Sequence, residues 1–462
     1  MEIDSFKKPD KKSTSNRIYA MQPTKLIVLS FIMLIIAGTL LLMLPISSKE
    51  SGTTLVQALF TATSAVCVTG LVVVDTYQHW STFGQIVIIS LIQIGGLGLI
   101  TLATFLTAIL GKKMRIKNMV LVQESMNFFS LDGIRQLIKK IVLFTLSVEA
   151  IGALLLSTVF VGQYGTKGFY IGAFHAISAF CNAGFDLMSI SGKGHFLSLI
   201  YYNNIPVVIY TVTSLIVIGG LGFVVWDDIF AYRKKKALML HTKLVLIITG
   251  ILIISGSILI YIFEYSNPHT LGNLNAFGKV NASVFHSITT RTAGFNTIDL
   301  GNMTDISKLL TIFLMFIGAA PGSTGGGVKI TTVGVLIITI ISQLKGSEDI
   351  IVFKKKVPFS IVSRALAIIG FSLMLILIVS TIILVIENKP IIDVIYEVTS
   401  AFGTVGLTTG LTPNLHNISK FLLVFMMFIG RVGPLSFALS LTMRSHKNES
   451  GIIYPEGKIF VG

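Results

Sequence analysis

The chain has 462 residues, of which 53% are hydrophobic and only 12% charged, with a mean hydropathy of +0.82. A soluble domain carries about twice that charge, so the composition excludes a soluble globular fold and defines an integral membrane protein. The net charge of +15 does not signal nucleic acid, because Lys and Arg collect in short segments without interleaved aromatics.

The basic segments are residues 7–25, 112–140, 233–243, 345–364 and 444–458. They are every second connection plus both ends, the positive-inside pattern of a multi-pass cytoplasmic-membrane protein with both termini in the cytoplasm. Part of this charge is available to membrane lipid with anionic headgroups.

Taken in chain order, eight stretches approach the roughly 20 apolar residues that a span requires. Residues 1–25 form a cytoplasmic tail. The first apolar stretch is too long for a signal peptide and ends at Pro45 without a small-residue cleavage site, so it reads as an uncleaved span. Pore repeat 1 (26–111) has an outer helix at 26–44, a short helix at 53–65, a loop at 66–71 and an inner helix at 86–110. A basic cytoplasmic linker, 112–140, reads as amphipathic helix. Repeat 2 (141–232) follows with helices at 141–161, 168–180 and 205–226. Repeat 3 (241–345) has helices at 244–263 and 278–290 and a broken inner helix at 309–341. Repeat 4 (361–444) has helices at 361–386, 391–402 and 421–443, before a cytoplasmic tail at 445–462. The short helices, of 12 or 13 residues, cannot span and read as re-entrant segments, tolerated only where protein or water covers them. The fold class is all-α integral membrane, four tandem repeats forming one pseudo-fourfold pore of eight spans.

Each short helix leads into a loop with a glycine in register: Gly70, Gly184, Gly294 and Gly406, separated by 114, 110 and 112 residues. An aromatic precedes each one, Phe60, Phe174, Phe285 and Tyr396, with repeat 3 one residue shorter. The loops read Val66-Cys67-Val68-Thr69-Gly70, Cys181-Asn182-Ala183-Gly184, Arg291-Thr292-Ala293-Gly294 and Gly403-Thr404-Val405-Gly406. The fourth is close to TVGYG, whose carbonyls replace the hydration shell of potassium. A filter backbone alternates conformation and needs positive φ at some positions, which glycine adopts freely. Only one glycine of the TVGYG pair stands in each loop; Val72, Asp186, Asn296 and Thr408 occupy the other place. That implies fewer ion sites than a potassium channel has.

The inner helix of repeat 3 is broken by Gly318-Ala319-Ala320-Pro321-Gly322-Ser323-Thr324-Gly325-Gly326-Gly327, followed by Val328 and Lys329. Five glycines and a proline in ten residues end a helix. The spacing from Gly322 to Gly327 imitates a phosphate loop, but Lys329 comes one position late and no strand precedes it. The break is instead placed to block a pore and to move. Arg431, within Gly430-Arg431-Val432-Gly433-Pro434, is a cation in the middle of the last span and marks a functional site. Two readings are open for it: a cap on helix carbonyls, or an electrostatic latch beside the gate. Glu149 reads as a structural partner, His175 and His286 as polar contacts of the short helices, and Cys67 and Cys181 as small residues in crowded loops.

The four glycine loops, the 318–329 break and the 430–434 segment resemble the Trk/Ktr/HKT superfamily of potassium transporters, and among these the membrane subunit of bacterial Ktr systems. The resemblance covers residue 26 onward, including the Tyr454-Pro455-Glu456-Gly457 ending. It implies a homodimer of eight-span pores, potassium as the transported ion because Gly70 is not serine, a gate at 318–327 and a gating arginine at Arg431. It further implies a cytosolic nucleotide-binding regulatory ring of RCK type as partner, with the nucleotide on that partner and no cofactor in this chain. Sodium is the second candidate ion. The expected function is potassium uptake by a gated pore; the alternatives are a stoichiometric sodium–potassium symporter and, more distantly, an intramembrane enzyme, which would need clustered acids or a metal site.

Overall fold

The computed structural model describes residues 23–49, 52–98, 134–347 and 349–441. Four helices in it are long and apolar enough to cross a membrane: α1 (Pro23–Leu42), α4 (Ile134–Tyr164), α8 (Leu240–Glu264) and α12 (Phe359–Glu387). These are the outer helices of the four repeats. Each is rich in Leu, Ile and Val and, as a continuous helix, satisfies its backbone internally, the condition for lying in lipid. Met33, Leu40, Leu154, Ile254, Leu377 and Val385 on these helices remain exposed, as a lipid-facing surface requires.

Four short helices fill the centre: α2 (Leu55–Val66), α5 (Lys167–Phe180), α9 (Ala276–Thr289) and α13 (Ile391–Gly403). Local chemistry sets their starts. Thr54 and Gln57 form a reciprocal capping box at α2, and the Asn275 side chain accepts the Gly278 N–H at α9 (2.7 Å). Their aromatics Phe60, Phe174, Phe285 and Tyr396 are fully buried. A polypeptide that buries Phe around non-spanning helices places them inside a bundle, not against lipid.

The inner helices depart from the expected continuous spans. Helix α3 (Thr82–Leu97) stops at Gly98, α6 (Pro206–Leu221) turns by 91° at Gly222 into α7 (Phe223–Lys235), and α14 (Asn417–Val432) stops at Gly433 before α15 (Pro434–Leu441). The three glycines take φ of +84°, +91° and +95°, a region that L side chains rarely adopt and in which a helix cannot continue. The expected unbroken helices at 205–226 and 421–443 are therefore corrected to broken ones, and the one expected at 86–110 ends at Gly98, with 99–110 and 442–443 outside the described residues. In repeat 3 the break is as expected, between α10 (Asp305–Phe316) and α11 (Ile330–Leu344). Helix α4 already includes residues 134–140, inside the stretch read as linker; residues 112–133 of that linker, most of the 1–25 tail and the 445–462 tail lie outside the described residues. The single sheet among the described residues is a hairpin of β1 (Ile351–Val352) and β2 (Lys355–Lys356) between α11 and α12.

A second set of glycines lets the inner helices touch the short ones. A Cβ at Gly95, Gly219 or Gly430 would overlap the carbonyl oxygen of Val66, Phe180 or Phe402, the residues four before the loop glycines of repeats 1, 2 and 4. A buried ion pair, Lys308 Nζ to Asp393 Oδ1 at 2.8 Å, ties α10 to α13. Overpacking of this kind costs about 1–3 kcal/mol, so Gly430→Ala is expected to lower the thermal unfolding temperature of the detergent-solubilised protein. Gly370→Ala, where nothing lies within 4 Å, is expected to leave it unchanged or slightly raised.

Candidate functional site

The four loops share one backbone course. In each, both the glycine and the residue two before it have positive φ: Val68 (+56°) and Gly70 (+94°), Asn182 (+59°) and Gly184 (+69°), Thr292 (+73°) and Gly294 (+81°), Thr404 (+51°) and Gly406 (+90°). Only the glycine was legible in advance. Three of its partners are β-branched residues, for which this region is a genuine outlier. The cap of the short helix holds them there. The N–H of the residue before each glycine donates to a carbonyl in the last turn of the short helix: Thr69 to Ser64 (2.8 Å), Ala183 to Ser178 (2.7 Å), Ala293 to Thr289 (3.0 Å) and Val405 to Ser400 (2.9 Å). Repeat 3 reaches back four residues where the others reach back five, which absorbs its missing residue.

The loops close a ring in chain order. A Cβ on Gly70 would meet the Ala183 carbonyl oxygen; one on Gly184 would lie 2.7 Å from that of Ala293; one on Gly294 would lie 2.6 Å from that of Val405; one on Gly406 would meet that of Thr69. Every glycine thus yields its side-chain space to the carbonyl preceding the next repeat's glycine. The carbonyls of Thr69, Ala183, Ala293 and Val405 crowd around one axis.

Side chains of the short helices brace the ring. Ser64 and Ser400 hydroxyls accept the N–H of Gly70 (3.0 Å) and Gly406 (3.1 Å), whereas Ser178 and Thr289 hydroxyls donate to the Phe185 (2.7 Å) and Phe295 (2.6 Å) carbonyls. The residue after each aromatic pins neighbouring structure in three repeats. His175 Nε2 accepts the Leu187 N–H (3.4 Å), which leaves Nδ1 as the protonated nitrogen, donating to the Ile171 carbonyl (2.8 Å). His286 meets Thr311 Oγ1 (2.9 Å). Glu397, overlooked in the sequence, accepts from Thr408 Oγ1 (2.5 Å), the Thr409 N–H (3.0 Å) and Thr412 Oγ1 (2.6 Å), and so clamps the chain leaving the fourth loop. The signal was available: Glu397 shares the register of His175 and His286.

The 318–329 segment lies directly against the ring. Gly326 N–H donates to Thr404 Oγ1 (3.0 Å), a Cβ on Gly325 would strike the Thr292 hydroxyl, and Thr324 Oγ1 donates to the Phe180 carbonyl (3.1 Å). Its backbone is satisfied by neighbours: Ala320 N–H by Gly220 (3.1 Å), Thr324 N–H by Gly219 (3.3 Å) and Gly327 N–H by Gly430 (3.1 Å). The segment is therefore held by backbone hydrogen bonds to its neighbours, and Ala320 and Val328 within it also join the apolar core.

Arg431 contacts both the helix carbonyls and the broken segment. Its Nη2 donates to the carbonyls of Gly95 and Gly96 (3.2 Å to the latter), in the last turn of α3, and Nη1 donates to the Thr324 carbonyl of the broken segment. A cation suits the carbonyl end of a helix. One guanidinium thus joins repeats 1, 3 and 4. Lys329 Nζ donates to the Gly325 carbonyl (2.7 Å). Among the described residues, no carboxylate lies within ion-pair distance of either cation. Arg291 is buried, its Nε without a partner among the described residues. Cys67 and Cys181 are buried free thiols; Glu149 accepts from Gln93 Nε2 (3.2 Å) beside Cys181, a structural contact behind the second loop.

A ring of backbone carbonyls enclosed by four helical repeats in one membrane chain defines the class of single-chain ion pores. Comparison narrows the class. The profile of the TrkH cation transport proteins matches residues 4–451. Ktr system potassium uptake protein B of Bacillus subtilis is 42% identical over 95% of this chain and 97% of its own length. A potassium/sodium uptake protein of Enterococcus hirae is 40% identical over 96% of this chain and 98% of its own length. The crystal structure of a potassium transporter from Vibrio parahaemolyticus superposes with a TM-score of 0.72 at 18% identity, covering 92% of this chain and 86% of that one, and shares the fold. The chain belongs to the TrkH family of cation transport proteins.

Proposed function

We propose that this chain is the ion-translocating subunit of a Ktr-type potassium uptake system of the cell membrane, conducting the ion through one central pore. The observation that carries this reading is the closed ring, in which each loop glycine faces the carbonyl preceding the next. Four carbonyls at one level offer a dehydrated cation the ligands it leaves behind in water. Retention of glycine in all four loops supports potassium over sodium, and one glycine per loop supports a single principal site.

The 318–329 segment is the proposed gate. It is wedged under the loops at Thr292 and Thr404, and it carries Lys329 beside Arg431. Two cations without acid partners among the described residues oppose passage of a third charge, while the Arg431 bonds hold the segment in place. Opening requires the Thr324 carbonyl to leave Arg431. A partner subunit is in keeping with the system named for the relatives; its form as a cytosolic nucleotide-binding ring, and a homodimer of pores, are further parts of the proposal. Sodium remains the second ion of interest, because the Enterococcus hirae relative is named for both. Reversal potentials measured against both gradients separate a pore from a stoichiometric symporter.

Gly70→Ser places a side chain at φ +94° against the Ala183 carbonyl and is expected to admit sodium. Rubidium and sodium fluxes in proteoliposomes measure this; unchanged selectivity would count against the filter assignment. Deleting residues 322–326 removes the Thr324 carbonyl and the Gly326 N–H and is expected to raise flux. Loss of transport in a well-folded deletion variant would make the segment structural.

A further inference from the structure

The connection between α11 and α12 is built more firmly than a linker needs. Val352 and Val357 point inward and form a small core with Ile350 and Val362, packed on Leu240 and Leu244 of α8 and on Val335 and Ile338 of α11. The hairpin is thus fixed at the basic end of the bundle, where α8 and α12 both begin. Its tip is unusual. Phe353 (φ +48°) and Lys354 (φ +63°) occupy the two left-handed positions of a two-residue turn, where Asn and Gly are the favoured pair. A large aromatic and a lysine are kept there against backbone preference, so their side chains are the feature being presented.

What they present is amphipathic. Phe353 is half exposed, with Lys243 Nζ 5.6 Å from its ring centroid. Lys354, Lys355 and Lys356 are all exposed. Lys356 pairs with Asp349 at 2.5 Å, which removes the acid's charge from the patch; Lys345, Lys354 and Lys355 have no acid partner among the described residues. Between the end of α11 and β1 runs a cleft of about 480 Å³, apolar on one wall (Ile338, Ile341, Ile351) and polar on the other (Ser342, Lys345, Ser347 and Asp349, the last paired with Lys356). Leu344 (83% exposed) and Phe359 (77%) flank it and continue the lipid-facing surfaces of α11 and α12.

We propose that this hairpin and cleft form a binding site for anionic phospholipid of the adjoining leaflet. The acyl chain lies along Ile338, Ile341 and Ile351. The phosphate is held by Lys345 with the Ser347 hydroxyl, the Ser342 hydroxyl donating to the Asp349 carbonyl (3.1 Å), and Lys354 and Lys355 meet the neighbouring headgroups. Phe353 sits at headgroup level, where aromatic rings settle, and the lysine stems follow it while their ammonium groups stay wet.

A Phe353→Trp reporter, reconstituted without any partner subunit, tests the site by quenching with brominated lipids. Trp80 and Trp226 supply a constant background. Brominated phosphatidylglycerol is expected to bind about tenfold or more tightly than brominated phosphatidylcholine, and the preference to fall to about twofold or less in Lys345→Gln/Lys354→Gln/Lys355→Gln. Retained rubidium flux confirms that the triple variant is folded. Raising the salt concentration on the unsubstituted reporter must weaken the preference as well, since exposed charge pairs are screened; this arm does not depend on the triple variant. Soluble glycerol phosphate should not displace the lipid. Equal quenching by both lipids, a preference that survives the triple substitution and high salt, or displacement by glycerol phosphate would overturn the assignment. Absence of quenching by either lipid would also overturn it, leaving the hairpin to a protein partner.

Discussion

The architecture depends on one steric constraint: the space a side chain would occupy at each loop glycine is filled by the carbonyl of the next repeat. Gly70, Gly184, Gly294 and Gly406 each meet this condition, and the succession of contacts returns from the fourth repeat to the first. Glycine serves twice there, supplying positive φ and leaving room. The short helices, their serine and threonine braces and the packed inner helices are the means by which four loops are brought close enough for the constraint to act.

The proposed gate is joined to the same geometry largely through backbone groups. The 318–329 segment bonds to the loops above it and to inner-helix glycines beside it, and Arg431 gathers carbonyls from α3 and from that segment. Gly430 must be small for α14 to reach Phe402, and Arg431 follows it directly. In repeats 1 and 2 the residues in that register are Gly96 and Gly220. One repeat out of four therefore carries the cation, and one carries the break it contacts.

Much of this was legible in the sequence. The glycine register, the four short helices to within two residues at each end, and the repeat 3 break all follow from composition, spacing and helix-breaking residues. The helix end at Gly98 and the breaks at Gly222 and Gly433 did not, because a glycine within an apolar run reads equally well as a packing contact inside a continuous span. Gly95 and Gly219 are indeed packing contacts, three residues from glycines that end their helices. The positive φ of Val68, Thr292 and Thr404 was hidden for a different reason: β-branched residues argue against that conformation, and only the helix caps enforce it. Glu397 shares the register of His175 and His286, but which groups it holds is visible only once the returning chain brings Thr408, Thr409 and Thr412 to it.

The central claim is that the ring is the ion site. Crystals grown in rubidium or thallium salts and measured for anomalous scattering test it most directly. The account predicts one dominant peak on the axis at the level of the Thr69, Ala183, Ala293 and Val405 carbonyls, displaced by potassium. An axis empty of anomalous signal at that level, with the ion bound elsewhere, would contradict it.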